Sequence, residues 1–385
     1  MFSKSLVFLK KNNLFRDIKN RNSSQGSRII IGGKEYINFS SNDYLGLANH
    51  PALIRASLQA MEKFGFGSGS SRLLAGGSIL HEELERKIAK FAGTESALIF
   101  NSGYSANTGI IPALADKGDV IFSDELNHAS IVDGCRLSRA NTYIYKHKDT
   151  ANLENLIRKT KAKRKIVLTD SVFSMDGDIA PLKEIYSICL TLNATSYTPN
   201  TLLYIDDAHA TGVLGKGSLE HFKIKPEPWI IRMGTFSKAF GSFGAFVAGS
   251  RDVIDWTLNT ARSFMFSTAL PPSVMAASIA ALELIEKKSM LIKKLWARRD
   301  KTVRELTKLG YDIMGSETPI IPIRTGSIEN TLKTSLYLLK KGIFAPAIRP
   351  PTVKEPRIRI TVTAAHSDED IEKLIKALSR YERIR

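Results

Sequence analysis

Six short apolar runs recur through the middle of this 385-residue chain: SALIF (96–100), DVIF (119–122), KIVLTD (165–170), TLLYID (201–206), IIRMGT (230–235) and GAFVAG (244–249). Each is bounded by polar or glycine-containing turns and is too short for a buried helix, so each reads as a strand apolar on both faces. Amphipathic stretches such as HEELERKIAKFAG (81–93) and PLKEIYSICLTLN (181–193) lie between them. Strands alternating with helices predict an α/β fold, a mostly parallel sheet covered by helices on both faces. Helical character then runs from about Pro272 to Leu309. Beyond Gly310 the runs YDIM, PIIPIR, IFAPAI and RIRITVT alternate with helices, and a final helix opens at Asp368. The expected organisation is an N-terminal helix and extended segment (1–45), a large domain (46–284) and a smaller C-terminal α/β domain (285–385).

Composition removes several classes of function. Apolar residues at 43% and charged residues at 24% are the balance of a soluble globular protein, and the longest near-apolar stretch, 273–285, is too short to cross a bilayer. The basic N-terminus lacks the apolar length and small-residue cleavage site of a secretory signal. Leu6, Leu9, Leu14, Phe15 and Ile18 instead predict a helix lying on the body of the protein. Cys135 and Cys189 make neither a disulfide framework nor a metal-ligand spacing, so the expectation is a reduced, cytoplasmic protein without a metal. The net charge of +17 is spread along the chain. Its densest run, RKTKAKRK (158–165), reads as the end of a helix without interleaved aromatics, which argues against nucleic acid. A solvated basic surface, able to steer an acidic substrate or carrier, is the better reading. The polar stretch TLNATSYTPN (191–200) reads as a connector.

In open α/β sheets ligands bind outside the carboxyl ends of the strands, and there the polar residues form a coherent set. Asn101-Ser102-Gly103-Tyr104 follows the first run and opens a helix, whose free N–H groups suit a phosphate. Asp206, Asp207 and His209 follow TLLYI, and such charge at a strand end is costly to bury without a partner. Lys238 sits among small and apolar residues between two predicted strands. Desolvation there would favour the neutral, nucleophilic amine. A lysine for a carbonyl, a carboxylate for a pyridine nitrogen and a phosphate cradle together suit pyridoxal 5′-phosphate (PLP). GFGSGSSRLLAGG (65–77) follows a helix-like segment and fails the context of a dinucleotide site. GVLGKGS (212–218) lacks the P-loop spacing.

The motifs NFSSNDYLGL, GSGSSRLLAGG, DELNHASIVDG, SVFSMDGDIAPL, IDDAHATGVLG, TFSKAFGSFG, STALPP and RIRITVTAAH run in order from about Asn38 to His366. In these the chain resembles the α-oxoamine synthases, PLP-dependent acyltransferases of fold type I that join an amino acid to an acyl thioester with loss of CO₂. IRPPTV (348–353) and the compact length are most similar to the members that join L-alanine to a pimeloyl thioester in biotin biosynthesis. A sister activity such as glycine C-acetyltransferase is the alternative.

The resemblance implies a role for each matching residue. Lys238 would form the Schiff base and move the α-proton; Asp206 would pair with the pyridine nitrogen, and His209 would contact the phenolic oxygen. His128 would stack on the ring, with Ser174 near the phenolic oxygen. Gly103, Tyr104 and Thr235 would hold the cofactor around its phosphate. Ser267 and Thr268 match a segment that reaches a phosphate across a homodimer interface. Arg359 and Asn42 match residues that hold the amino-acid carboxylate, Thr352 matches a substrate contact, and Arg16 is placed at the distal pimeloyl carboxylate. Either coenzyme A or an acyl carrier protein would bear the acyl group. Ser70 and Ser237 stand where the family often has glycine, and neither removes a required group.

Overall fold

The computed structural model describes residues 1–194, 200–287 and 289–382. The chain forms two compact units, one of Met1–Asn49, Ser174–Asp178 and Met290–Arg385, the other of His50–Phe173 and Ile179–Ser289. The first 49 residues carry α1 (Ser3–Lys11), β1 (Arg28–Ile31) and β2 (Lys34–Asn38). The apolar spacing predicts a longer, seated helix, but α1 stops at Lys11 and buries no residue. Asn13 adopts φ 56°, a left-handed conformation that asparagine tolerates and that ends helices. Leu14 and Phe15 therefore fall outside α1, and Ile18 is 90% exposed.

The larger unit runs through α2 (Pro51–Phe64), α3 (Ile79–Ala92), β3 (Ser96–Phe100), α4 (Gly103–Leu114), β4 (Val120–Asp124) and α5 (Ala129–Leu137). It continues with β5 (Asn141–Tyr145), α6 (Thr150–Lys159), β6 (Lys165–Asp170), α7 (Leu182–Ala194), β7 (Thr201–Asp206) and α8 (Ser218–Phe222). Its last elements are β8 (Ile230–Thr235), β9 (Ala245–Gly249), α9 (Arg251–Thr260), α10 (Arg262–Met265) and α11 (Pro272–Lys287).

Seven strands pair in the order β3-β9-β8-β7-β6-β4-β5. Only the β9 pairings, to β3 and β8, are antiparallel. Residues alternate between the two faces as the strand period requires. Ile121, Ile166, Leu168 and Tyr204 pack with Ile110, Ile111 and Leu114 of α4 and Ile131 of α5. Val120, Phe122, Val167, Leu203 and Ile205 pack with Leu153 and Ile157 of α6 and Ile185 of α7. The fold is thus a mostly parallel sheet with helices on both faces. All six predicted strands are present. β5 is an additional strand, and as a half-exposed edge it lacks the continuous apolar run that marks the others. The stretch predicted as a connector begins as the end of α7 through Ala194; its residues 195–199 lie outside the described residues. Cys135 and Cys189 are buried, which pushes each thiol up to about 12 and leaves it unreactive.

The smaller unit is completed by α12 (Ser289–Lys308), β10 (Ile320–Arg324), α13 (Ile328–Lys340), β11 (Ile343–Phe344), β12 (Ala347–Ile348), β13 (Arg357–Thr361) and α14 (Asp368–Glu382). β10-β13-β12 form one antiparallel sheet, and β1-β2-β11 another in which β2 and β11 are parallel. Ile37, Phe39, Ile321, Ile323, Ile358, Ile360 and Leu374 are in its core. IFAPAI is split into two strands because Pro346 between them has no N–H to donate. YDIM, expected as a strand, is a turn: Met314 N–H donates to Asp312 Oδ1 at 2.8 Å, and Met314 has φ 56°. Residues 174–178 join this unit through the Thr318 hydroxyl, which donates to the Gly177 carbonyl at 2.9 Å. Gly177 has φ 72°, and a Cβ there would lie 2.0 Å from the Ile320 oxygen, so only glycine fits. Among the described residues no helix is long and apolar enough to cross a membrane.

A Ser/Thr-x-x-His turn in which the first residue's N–H bonds the imidazole is found in both units. The Ser78 N–H donates to His81 Nδ1 at 3.1 Å at the start of α3, and the Thr363 N–H donates to His366 Nδ1 at 3.0 Å. Burial lowers both imidazoles from 6.5 to about 4. The unfolded chain therefore binds protons there before the folded one does. Each neutral ring contributes stability that is complete above pH 6.5 and lost as pH falls towards 4, on the order of 3 kcal/mol per residue. His81→Gln keeps an acceptor suited to a capping box. Urea unfolding at several pH values should show a flatter acid loss in that variant than in wild type.

Candidate active site

Three neighbouring parallel strands, β4, β6 and β7, each end on a buried aspartate at the carboxyl edge of the sheet: Asp124, Asp170 and Asp206. Asp206 is 4% exposed, and each of its oxygens accepts an N–H. Ala208 N–H donates to Oδ1 and Asn107 Nδ2 to Oδ2, both at 2.9 Å. Asn107 comes from α4, where it also donates to Ser130 Oγ at 2.8 Å and accepts the Tyr204 hydroxyl at 2.5 Å. Donors on both oxygens replace the water that burial removes from this carboxyl.

His128 is the residue before α5. Its Nδ1 shares a hydrogen bond with Ser130 Oγ at 2.7 Å, and its backbone N–H donates to Asp170 Oδ2 at 2.7 Å. Burial lowers its pKa, Lys238 adds to that, and Asp206 opposes it. His128 thus lies within electrostatic reach of both Asp206 and Lys238. Lys238 is half-buried in the turn between β8 and β9. Thr235 Oγ1 pins that turn by donating to the Gly244 carbonyl at 2.8 Å and bonding Ser237 Oγ at 2.7 Å. His209 is buried in the turn after β7. Asp207 beside it is a structural anchor, paired with buried Arg232 at 2.8 Å. Gly103 and Tyr104 open α4, where backbone N–H groups lack intrahelical acceptors. The Ser102 hydroxyl caps that helix by accepting the Ser105 N–H at 3.0 Å. The Tyr104 hydroxyl itself bonds Asp133. Ser267 and Thr268 border the Ser70–Ser71 segment through the Ser71–Thr268 bridge and the Ala269 N–H to Ser70 carbonyl bond of 2.9 Å.

A second set of residues belongs to the smaller unit. Arg359 on β13 is 5% exposed. Its Nε donates to the Ser174 carbonyl at 2.6 Å, Nη1 to the Thr361 hydroxyl at 2.8 Å and Nη2 to Asn42 Oδ1 at 3.1 Å, and Tyr44 is a further hydrogen-bond partner. All four groups are neutral. Burial lowers the Arg359 pKa, and it pushes the Tyr44 hydroxyl up to about 12. A buried guanidinium held by neutral oxygens keeps its charge for an incoming carboxylate. Arg16 Nη2 donates to the Thr352 hydroxyl at 3.2 Å and to the Pro350 carbonyl at 3.3 Å. Arg349 steadies the same stretch by donating to the carbonyls of Asn13 and Phe15 at 2.6 and 2.7 Å. Arg16 and Arg349 border a cavity of about 450 Å³ whose walls include Phe15, Leu332, Leu339 and Phe344.

The structure therefore groups Lys238, Asp206 and His128, places Arg359 with Asn42 and Ser174, and places Arg16 with Thr352. Ser174 falls in the Arg359 set. Asn107, Tyr204, Ser130 and Asp170 were missed from sequence because they act on other side chains. The one available signal was an aspartate at or just beyond the end of three successive runs, Asp124, Asp170 and Asp206. The donor set of the larger unit fits PLP by its chemistry: a primary amine for the aldehyde, a buried, hydrogen-bonded carboxyl for a ring nitrogen, and a helix N-terminus for a phosphate.

Residues 34–378 match the family model of aminotransferase class I and II. The chain is 49% identical to the 8-amino-7-oxononanoate synthase of Geobacter metallireducens, over 98% of this chain and 97% of that one. It is 48% identical to the synthase of the same name from Thermoanaerobacter pseudethanolicus, over 97% and 94%. Serine palmitoyltransferase from S. paucimobilis, solved with a bound PLP–myriocin adduct, superposes with a TM-score of 0.92 at 27% identity, covering 100% of this chain and 98% of that one.

Asn107→Leu should leave Asp206 and Tyr204 short of a partner in the interior. The expected results are a loss of about 2 kcal/mol in chemical unfolding and roughly tenfold weaker PLP binding in a fluorescence titration.

Proposed function

The chain belongs to the aminotransferase class I and II family and, within it, to the α-oxoamine synthases. We propose that it condenses L-alanine with a pimeloyl thioester, with loss of CO₂, to give 8-amino-7-oxononanoate for biotin biosynthesis. The observation that carries this reading is similarity over nearly the whole chain to synthases of that product. The residues the reaction requires stand in fitting surroundings.

PLP bound at Lys238 supplies an electron sink for the charge that develops at the amino-acid α-carbon. Asp206, held by Asn107 and the Ala208 N–H, would keep the proton on the pyridine nitrogen. His128 would cover the ring and His209 would bond the phenolic oxygen, while Gly103, Tyr104 and Thr235 would hold the phosphate. Arg359, oriented by Asn42, Thr361 and the Ser174 carbonyl, binds the alanine carboxylate. Lys238 Nζ takes the α-proton. Carbon–carbon bond formation at the thioester carbonyl expels the thiol, CO₂ leaves, and Lys238 returns a proton to carbon. The cavity beside Arg16 and Arg349 suits an aliphatic chain ending in a carboxylate. The basic surface favours a polyanionic acyl carrier, protein or coenzyme. In a homodimer Ser267 and Thr268 would complete the partner's phosphate site, and the cytoplasm is the proposed compartment.

The reading is tested by supplying PLP-loaded protein with pimeloyl thioester and L-alanine, glycine or L-serine in turn, and identifying products by mass. Decarboxylated product with alanine, absent in Lys238→Ala, is expected. Product only with another amino acid, or only with a short or long unsubstituted acyl thioester, would move the chain to a sister activity. Arg359→Lys, which loses the planar fork, should raise KM for alanine at least about tenfold and leave KM for the thioester near wild type in steady-state kinetics.

A further inference from the structure

Of the three aspartates that close β4, β6 and β7, the outer two have hydrogen-bond partners on both carboxyl oxygens. Asp124 pairs with His147 Nδ1 at 2.9 Å and accepts the N–H groups of Leu126 and Lys148 at 2.9 and 3.0 Å. Asp206 has its two N–H donors, one to each oxygen. Asp170 is between these two strands and in direct register with Asp206. Its carboxyl accepts the His128 N–H at 2.7 Å. Its own N–H donates to Asn127 Oδ1 at 2.8 Å, and Asn127 Nδ2 reaches the Leu168 carbonyl and Ser123 Oγ, both at 2.9 Å. The turn that carries His128 is thereby tied to β6 at consecutive residues, through the Asn127 side chain and the His128 backbone.

We propose that Asp170 is a positioning residue: as a carboxylic acid buried between Asp124 and Asp206, it fixes the main chain at His128 and leaves Asp206 as the carboxylate offered to the cofactor ring. This rests on the assignment of PLP to the site. Neighbouring buried carboxylates do not both ionise without compensation, and the better-solvated partner keeps the charge. Asp206, with one donor to each oxygen, is the better solvated of the pair. The groups facing Asp170 are Asp206, Lys238, Asp124 with its His147, and the hydroxyls of Tyr145 and Tyr204. Burial and Asp206 push the Asp170 carboxyl well above the usual range, against the opposing effects of the His128 N–H and Lys238. Both tyrosines are pushed well above their ordinary value, chiefly by burial, and stay neutral.

The holoprotein provides the test. Asp170→Asn mimics the neutral acid and keeps an oxygen for His128, so PLP affinity should stay within about twofold of wild type and the pH midpoint of the PLP–lysine absorption band should hold. Asp170→Ala removes the acceptor, and PLP affinity should fall about tenfold with a shifted midpoint. An asparagine variant as impaired as the alanine one, or an alanine variant indistinguishable from wild type, would overturn the proposal. Should Asp170→Ala fail to fold, the infrared difference between wild type and Asp170→Asn at neutral pH decides. A protonated-carboxyl C=O stretch that vanishes in the variant supports the assignment, and its absence from wild type defeats it. Wild-type protein that never develops the absorption band with PLP would instead refute the cofactor assignment.

Discussion

A carboxylate stays charged inside a protein only where donors replace the water it has lost, and the larger unit is arranged around that requirement at Asp206. The demand reaches well beyond one residue. Asn107 must present its amide from α4, and Tyr204, two residues before Asp206 on the same strand, must hold that amide in place. Ser130 on α5 takes the amide's remaining bond and also touches His128. Two helices and one strand are therefore fixed in position by the hydrogen-bond needs of a single side chain. Hydrophobic contacts between α4, α5 and the sheet supply the energy, but the polar bonds set the alignment.

Arg359 in the smaller unit presents the complementary case. Its charge is solvated by a carbonyl, an amide oxygen and hydroxyls, none of which neutralises it. Such an arrangement is poor economy for stability alone, because a paired ion or an apolar residue would cost less to bury. It becomes intelligible when the missing anion arrives with a substrate. The position of Arg359 between two other strands of its sheet keeps the guanidinium from folding away when no anion is present.

The strands of the large sheet were legible because both faces are buried, which demands unbroken apolar runs. β5 was not, since an edge strand answers to no such demand. YDIM misled because Asp312 supplies a local acceptor that favours a turn over pairing. The N-terminal apolar spacing misled because periodicity says nothing of Asn13, whose backbone conformation stops α1. At the site, Lys238, Asp206 and His209 stood out as chemistry-bearing residues after predicted strands, whereas His128 entered only through the family motif. Asn107 and Asp170 did not, as an asparagine within a helix and an aspartate closing a strand are ordinary until their neighbours are known. Membership of the two units was equally hidden: nothing in the composition of residues 174–178 announces that Gly177 nests against Ile320.

The pairing of β2 with β11 sets the order in which this chain can mature. Ile37 is matched with Ile343, so a strand made among the first tenth of the chain has no sheet partner beyond β1 until some three hundred residues later. During synthesis the larger unit, whose last residue is Ser289, can close its core while β1 and β2 remain an isolated hairpin, a structure marginal in water. A ribosome stalled between residues 290 and 343 would therefore display a finished sheet and an unfinished one on the same nascent chain. The exposed edge of β2 would be the segment most in need of a chaperone.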